Sequence, residues 1–151
     1  MTSGSLTSAE LLVAGTASGA VMVLDEPLSF WGGLDSGNGK IIDRWHPQHD
    51  QSVTDSILLM PSGRGSSSGS AVLAEAIRLG TGPAAIVLLK RDPIVIVGAA
   101  IAAELYSIDC PVLLAREEEW QGLCKARWLE IEASGELAKI RVAERKNSDI
   151  G

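Results

Sequence analysis

The chain has 151 residues and a formal net charge of −6, a length that fits one domain able to bury about two-thirds of its unfolded surface. Hydrophobic residues at 46% and charged residues at 21% exclude a disordered chain. Thirteen Lys/Arg against nineteen Asp/Glu leave no basic face for nucleic acid, and no apolar run reaches the ~20 residues of a membrane helix.

In chain order, residues 1–8 are polar and are expected to fray. They carry no charged segment of the signal-peptide kind. Glu10–Ala14 and Ala20–Leu24 are short apolar runs separated by GTASG, which predicts a β-hairpin. Asp25–Gly39 is a long loop with four glycines and two of the chain's six aromatic rings, Phe30 and Trp31. A loop of that length has more than a connecting role. It either plugs one end of the sheet or packs on a partner. Lys40–Asp43 is expected to form a short strand.

Arg44–Thr54 is polar and holds both histidines, His46 and His49, beside Asp50. Pro47 works against a helix there and no Cys or Glu completes a metal set, so a surface or interface pair is the expectation. Phe30, Trp31, Trp45 and Pro47 together predict an apolar partner-facing surface.

Ser56–Met60 reads as a buried strand. Ser67–Leu79 shows helical spacing, with Val72, Leu73, Ala76 and Leu79 on one face and Gly80 as its stop. Ala84–Leu89 and Pro111–Ala115 are two further buried strands, with an Ala-rich helix over Gly98–Tyr106 between them. The order strand–helix–strand–helix–strand predicts parallel strands joined by right-handed crossovers. Glu117–Glu119 opens a helix, where acidic residues favour the dipole. Trp128–Ala133 and Leu137–Ala143 alternate apolar and polar around SGE, a late hairpin. One domain over 9–144 and a solvated tail over 145–151 follow. Cys110 and Cys124 lack metal spacing and are expected to be reduced thiols, which points to the cytoplasm.

Chemistry concentrates in Pro61–Ser70, PSGRGSSSGS, between a buried strand and a helix start. Gly63 and Gly65 open backbone conformations closed to other residues. Ser66–Ser70 place hydroxyls and free N–H groups at a helix N-terminus, where an anion is favoured. Serines also cap helices and glycines also make tight turns with no ligand at all. The stretch is not a Walker loop, because no Lys follows its last Gly, and no downstream His exists to serve a GxSxG nucleophile.

Four separated motifs then occur in order: LDEPLSFWGG, HPQHDQSV, LMPSGRGSSSGSAVLAEAIRLGTGPAAIV and IVGAAIAAELYSIDCPVLL. Over residues 10–115 the chain resembles the small subunit of the aconitase X family, which is similar to the swivelling domain of aconitases. The resemblance implies an α/β fold of the swivelling β/β/α type, with a small barrel-like sheet and flanking helices. It implies a hydro-lyase component acting on a small hydroxy-acid, either cis-3-hydroxy-L-proline, which is favoured, or mevalonate 5-phosphate. It also implies a large-subunit partner that supplies the iron or iron–sulfur site, with no cofactor bound by this chain. In the family's serine motif the catalytic base falls on Ser66, with Arg64, Gly65, Ser67 and Ser68 as substrate-binding candidates. Ordinary aconitases carry a carboxylate-binding arginine two residues after that serine. Here the position is Ser68, which implies a substrate with fewer carboxylates. Two readings of other classes stand beside this: a carrier or binding swivel domain with no chemistry of its own, and an anion-binding regulator. Iron and sulfide analysis of the purified chain is expected to find no stoichiometric cluster; cluster iron on the isolated chain contradicts the assignment of that group to a partner.

Overall fold

A computed structural model describes residues 6–143. Seven strands and three full helices are built in the order β1 (Leu6–Val13), β2 (Gly15–Val23), a distorted turn α1 (Phe30–Gly33), β3 (Ile57–Met60), α2 (Gly69–Leu79), β4 (Ala85–Leu88), α3 (Pro93–Tyr106), β5 (Val112–Leu114), α4 (Glu117–Lys125), β6 (Trp128–Ser134) and β7 (Leu137–Ala143). The strands are ordered β1-β5-β4-β3-β2-β6-β7, and β7 pairs back onto β1, so the sheet closes in a ring. β2, β3, β4 and β5 run parallel to their neighbours within that series, and the remaining pairings are antiparallel.

β3 and β4 are buried at every position, ILLM and AIVL. Alternation divides their side chains between two cores. Ile57, Leu59, Ala85 and Val87 point into the ring with Leu113, Leu129, Ile131, Ala133, Ala138 and Ile140. Leu58, Met60, Ile86 and Leu88 point outward and pack under α2 and α3 with Leu73, Ala76, Val95, Ala99 and Ala102. Continuous apolar runs are what such two-sided burial requires. β6 and β7 bury only their inner faces, so their outer faces carry charge, with Glu130 opposite Arg141 and Glu132 opposite Lys139.

Several expectations are corrected. β1 and β2 are not a hairpin. They share no ladder; β1 pairs with β5 and β7, and β2 with β3 and β6. GTASG lies inside β2, and its glycines serve close approaches rather than a turn. A Cβ on Gly19 would stand 2.6 Å from the Asp55 carbonyl oxygen, and one on Gly15 would press on Asp109 and Pro111. Leu6–Ser8 belong to β1 and are not a frayed end. The frayed start expected over residues 1–5 and the solvated tail expected over 145–151 lie outside the described residues. Lys40–Asp43 is not a strand; Lys40 and Ile41 make single bridges only, to Ser52 and Leu34. α3 begins at Pro93, because Asp92 caps it by accepting the Ile94 N–H at 2.8 Å and Pro93 suits a first helical position. The late hairpin is present as β6 and β7.

α2 and α3 cross at Gly98, where a Cβ would stand 2.9 Å from the Ser70 carbonyl oxygen and 3.1 Å from Leu73 Cβ. Gly98→Val is expected to lower unfolding stability by about 1–3 kcal/mol, the cost of overpacking, read as a drop in urea midpoint. Both cysteines are free. Burial pushes the Cys110 thiol up to about 12. The unfolded chain ionises first, so this contribution to stability is complete below the ordinary thiol range. It is lost as pH rises above that range towards about 12. In the folded chain a thiol reagent should modify half-buried Cys124 ahead of Cys110; equal rates contradict the packing.

Candidate functional site

The parallel strands β3, β4 and β5 end on one edge of the ring, and Pro61–Ser68 leaves that edge from β3 to start α2. Ligands of α/β sheets collect outside the carboxyl ends of parallel strands. The loop is wedged between two neighbours. A Cβ on Gly65, whose φ is +98°, would collide with the Ser29 side chain, and one on Gly63 would collide with the Asp92 carboxylate. Gly69 packs on Ile94 and on the backbone at Trp31. Arg64 N–H donates to the Leu28 carbonyl at 3.3 Å. Gly63 and Gly65 therefore let the loop backbone pass close to the Asp92 and Ser29 side chains, and Gly69 lets it pass close to the Trp31 backbone.

The serines divide by role. Ser70 is buried and donates its hydroxyl to the Ile94 carbonyl at 2.7 Å, so it ties α2 to α3. Ser67 and Ser68 are exposed, and Ser68, the N-cap, makes no side-chain cap bond. Ser66 is half-buried, and its Oγ accepts the Ser68 N–H at 3.0 Å. The carbonyls of Ser66, Ser67 and Ser68 accept from Gly69, Ser70 and Val72 at 2.9, 3.1 and 3.3 Å. The Gly69, Ser70 and Val72 amides of α2 are thus occupied, while among the described residues nothing accepts from the Ala71 N–H, and further free amides lie just before the helix. Among the described residues nothing accepts from the N–H groups of Gly65, Ser66 or Ser67. Arg64, half-exposed, lies 3.8 Å from Asp43. All five predicted site residues, Arg64 through Ser68, fall on this one loop.

Other candidates change character. Phe30 is 1% exposed and belongs to the core under the helices with Leu24, Leu28 and Leu34, so it cannot face a partner. Trp31 is 60% and Trp45 91% exposed, and Ile42 is exposed beside them. Ile42 N–H donates to the Gly33 carbonyl, which joins the two segments. His46 is not a surface residue. It is buried, with Nε2 3.0 Å from the Glu26 carbonyl and Nδ1 accepting the Gln48 N–H at 3.0 Å. Gln48 in turn exchanges two hydrogen bonds with Asp25. Both ring nitrogens are used in holding the turn that displays Trp45. Sequence reading missed Ser29 and Asp92 as walls of the loop; only Asp-Pro before an apolar run hinted at the latter. Among the described residues no cluster of three His, Cys, Asp or Glu could hold a metal, and no helix is long and apolar enough to cross a membrane.

The ring-shaped α/β domain carries a glycine-serine loop at the carboxyl edge of its parallel strands, the arrangement that the resemblance to an aconitase-type swivelling domain implies. The sequence model of the aconitase X swivel domain matches residues 6–140, and the chain belongs to that family. It is 40% identical over 127 residues to a phosphomevalonate dehydratase small subunit of Methanothermobacter thermautotrophicus, covering 84% of this chain and 92% of that one. It is 35% identical over 136 residues to a cis-3-hydroxy-L-proline dehydratase of Hypocrea jecorina, covering 90% of this chain but only 23% of that one. The crystal structure of Thermococcus kodakaraensis aconitase X in its holo-form superposes with a TM-score of 0.74 at 28% identity, over 91% of this chain and 98% of that one.

Gly65→Ala is expected to destabilise the chain by about 1–3 kcal/mol, since it combines a left-handed φ with a collision at Ser29. Ser66→Ala, which removes one exposed turn bond, should cost no more than about 1 kcal/mol. Urea titrations of both variants check the contrast.

Proposed function

We propose that this chain is the swivel-domain small subunit of an aconitase X-type hydro-lyase and that Ser66 is its catalytic base. Dehydration of a β-hydroxy acid removes the proton α to the carboxylate and expels the β-hydroxyl. A serine takes up such a proton only as an alkoxide, which needs donors aimed at its oxygen. The observation that carries the reading is the Ser68 N–H directed at Ser66 Oγ at 3.0 Å, at the start of α2. The helix dipole adds positive potential there. The free amides of Gly65, Ser66 and Ser67 and the Arg64 guanidinium suit the substrate carboxylate.

Among the described residues no group of three His, Cys, Asp or Glu side chains could hold iron. Cys110 is buried and His46 has both nitrogens engaged, so neither is an available ligand. An iron site belongs on the large subunit, and no step on this chain passes through it. The small-subunit names of relatives support such a partner, and Trp31, Ile42 and Trp45 supply the apolar surface for it. The two free thiols suit a reducing, cytoplasmic setting.

The favoured substrate is cis-3-hydroxy-L-proline, because Arg64 is the only cation of the loop and a phosphate recruits several. The second reading, mevalonate 5-phosphate, is favoured by the likeness to a separate small subunit that this chain covers almost in full. Assay of both substrates with the chain, the cognate large subunit and their mixture separates the readings. Activity is expected in the mixture alone. Ser66→Ala should still bind the large subunit and lose about 10²–10⁴-fold in turnover. A fully active Ser66→Ala complex removes the base assignment. Trp45→Ala should leave stability within ~0.5 kcal/mol and weaken association with the large subunit by at least about tenfold; unaltered association contradicts the surface.

A further inference from the structure

Arg64 is the only cation of the loop, and the fold does not leave its side chain unattached. Its Nη2 lies 3.8 Å from Oδ2 of Asp43. Asp43 is itself fixed. Its Oδ1 accepts the Trp45 N–H at 2.9 Å, and its carbonyl accepts the His46 N–H at 3.1 Å. His46 is buried and clamped to Glu26, so the turn that carries Asp43 is anchored to the body of the domain. One carboxylate therefore lies at ion-pair distance from the loop arginine and accepts a hydrogen bond from the turn that displays the most exposed tryptophan.

We propose that Asp43 is a positioning residue: it holds the Arg64 guanidinium at the mouth of the Ser66 loop and ties it to the turn that displays Trp45. This rests on the reading of that loop as the substrate site. A free arginine side chain carries rotamer entropy that substrate binding would have to overcome. A guanidinium also has more than one donor edge. A carboxylate on one edge leaves another for a substrate carboxylate. Arg64 is half-exposed although Asp43 is mostly buried, so the pair's contribution to stability is small, and orientation is the role left to it.

The test uses the complex of the full chain with its cognate large subunit and the substrate that complex turns over. Asp43→Asn keeps an oxygen for the Trp45 N–H and removes the charge. It should raise KM about two- to fivefold with kcat unchanged, the scale of an exposed ion pair, while affinity for the large subunit stays within about twofold. Arg64→Ala should raise KM about 10- to 100-fold, the scale of a lost hydrogen bond to a charged group. The double variant should be no worse than Arg64→Ala alone, because Asp43 acts through Arg64. An unchanged KM in Asp43→Asn, or effects that multiply in the double variant, overturns the proposal. Full activity of a Ser66→Ala complex instead overturns the reading of the loop beneath it.

Discussion

β3 and β4 bury both of their faces, and the rest of the domain is arranged to make that possible. A strand with no solvent face needs a layer on each side. The inner layer is supplied by the ring itself, and small side chains such as Ala9, Ala85, Ala133 and Ala138 let it close tightly. The outer layer is α2 and α3, joined by Phe30, Leu24, Leu28 and Leu34 from the long segment after β2. That segment has regular structure only in a single distorted turn, yet it is core. Its burial brings Ser29 beside the loop that starts α2.

The same layering fixes the site. Parallel strands need crossovers over one face, so β3 must leave its carboxyl end and return through α2. The link between them runs between Ser29 and Asp92, and only glycines fit at 63 and 65. Under the proposed role of Ser66, rigidity here has a chemical use. Amides that point at an oxyanion stabilise it best when they need not reorganise to do so. Ser70 shows how the cost is met elsewhere: its buried hydroxyl binds α2 to α3 and keeps the helix start in place.

Much of this was legible in the chain. Two-sided burial leaves continuous apolar runs, so β3, β4 and β5 could be read directly, and the alternation of β6 and β7 marked their half-exposed faces. The serine loop was legible because glycine and serine cluster nowhere else so densely between an apolar run and a helix. What failed did so for one recurring reason. Glycine marks either a turn or a close approach, and the pattern along the chain does not say which. In GTASG the neighbour that explains Gly19 is the Asp55 backbone, distant in sequence. Phe30 and His46 failed similarly. Each sits in a stretch rich in loop residues, and what buries them comes from β3, α2 and the Glu26 carbonyl.

The departure at Ser68 bears on how the chemistry is shared. Where ordinary aconitases carry an arginine for the substrate carboxylate, this chain has Ser68, whose backbone N–H donates to Ser66 Oγ as that of any residue but proline could. A long cationic side chain at 68 would add charge beside the base. If Ser66 is the base, as proposed, that absence leaves the stabilising of its alkoxide to backbone donors, the α2 dipole and Arg64. Backbone donors have no pKa and cannot be displaced by a rotamer change, so on this reading the basicity of Ser66 depends on the fold of the loop more than on any one side chain. That also accounts for the close walls around it. A loop free to relax would lose the one N–H directed at Oγ, and with it the reason for a serine at this position.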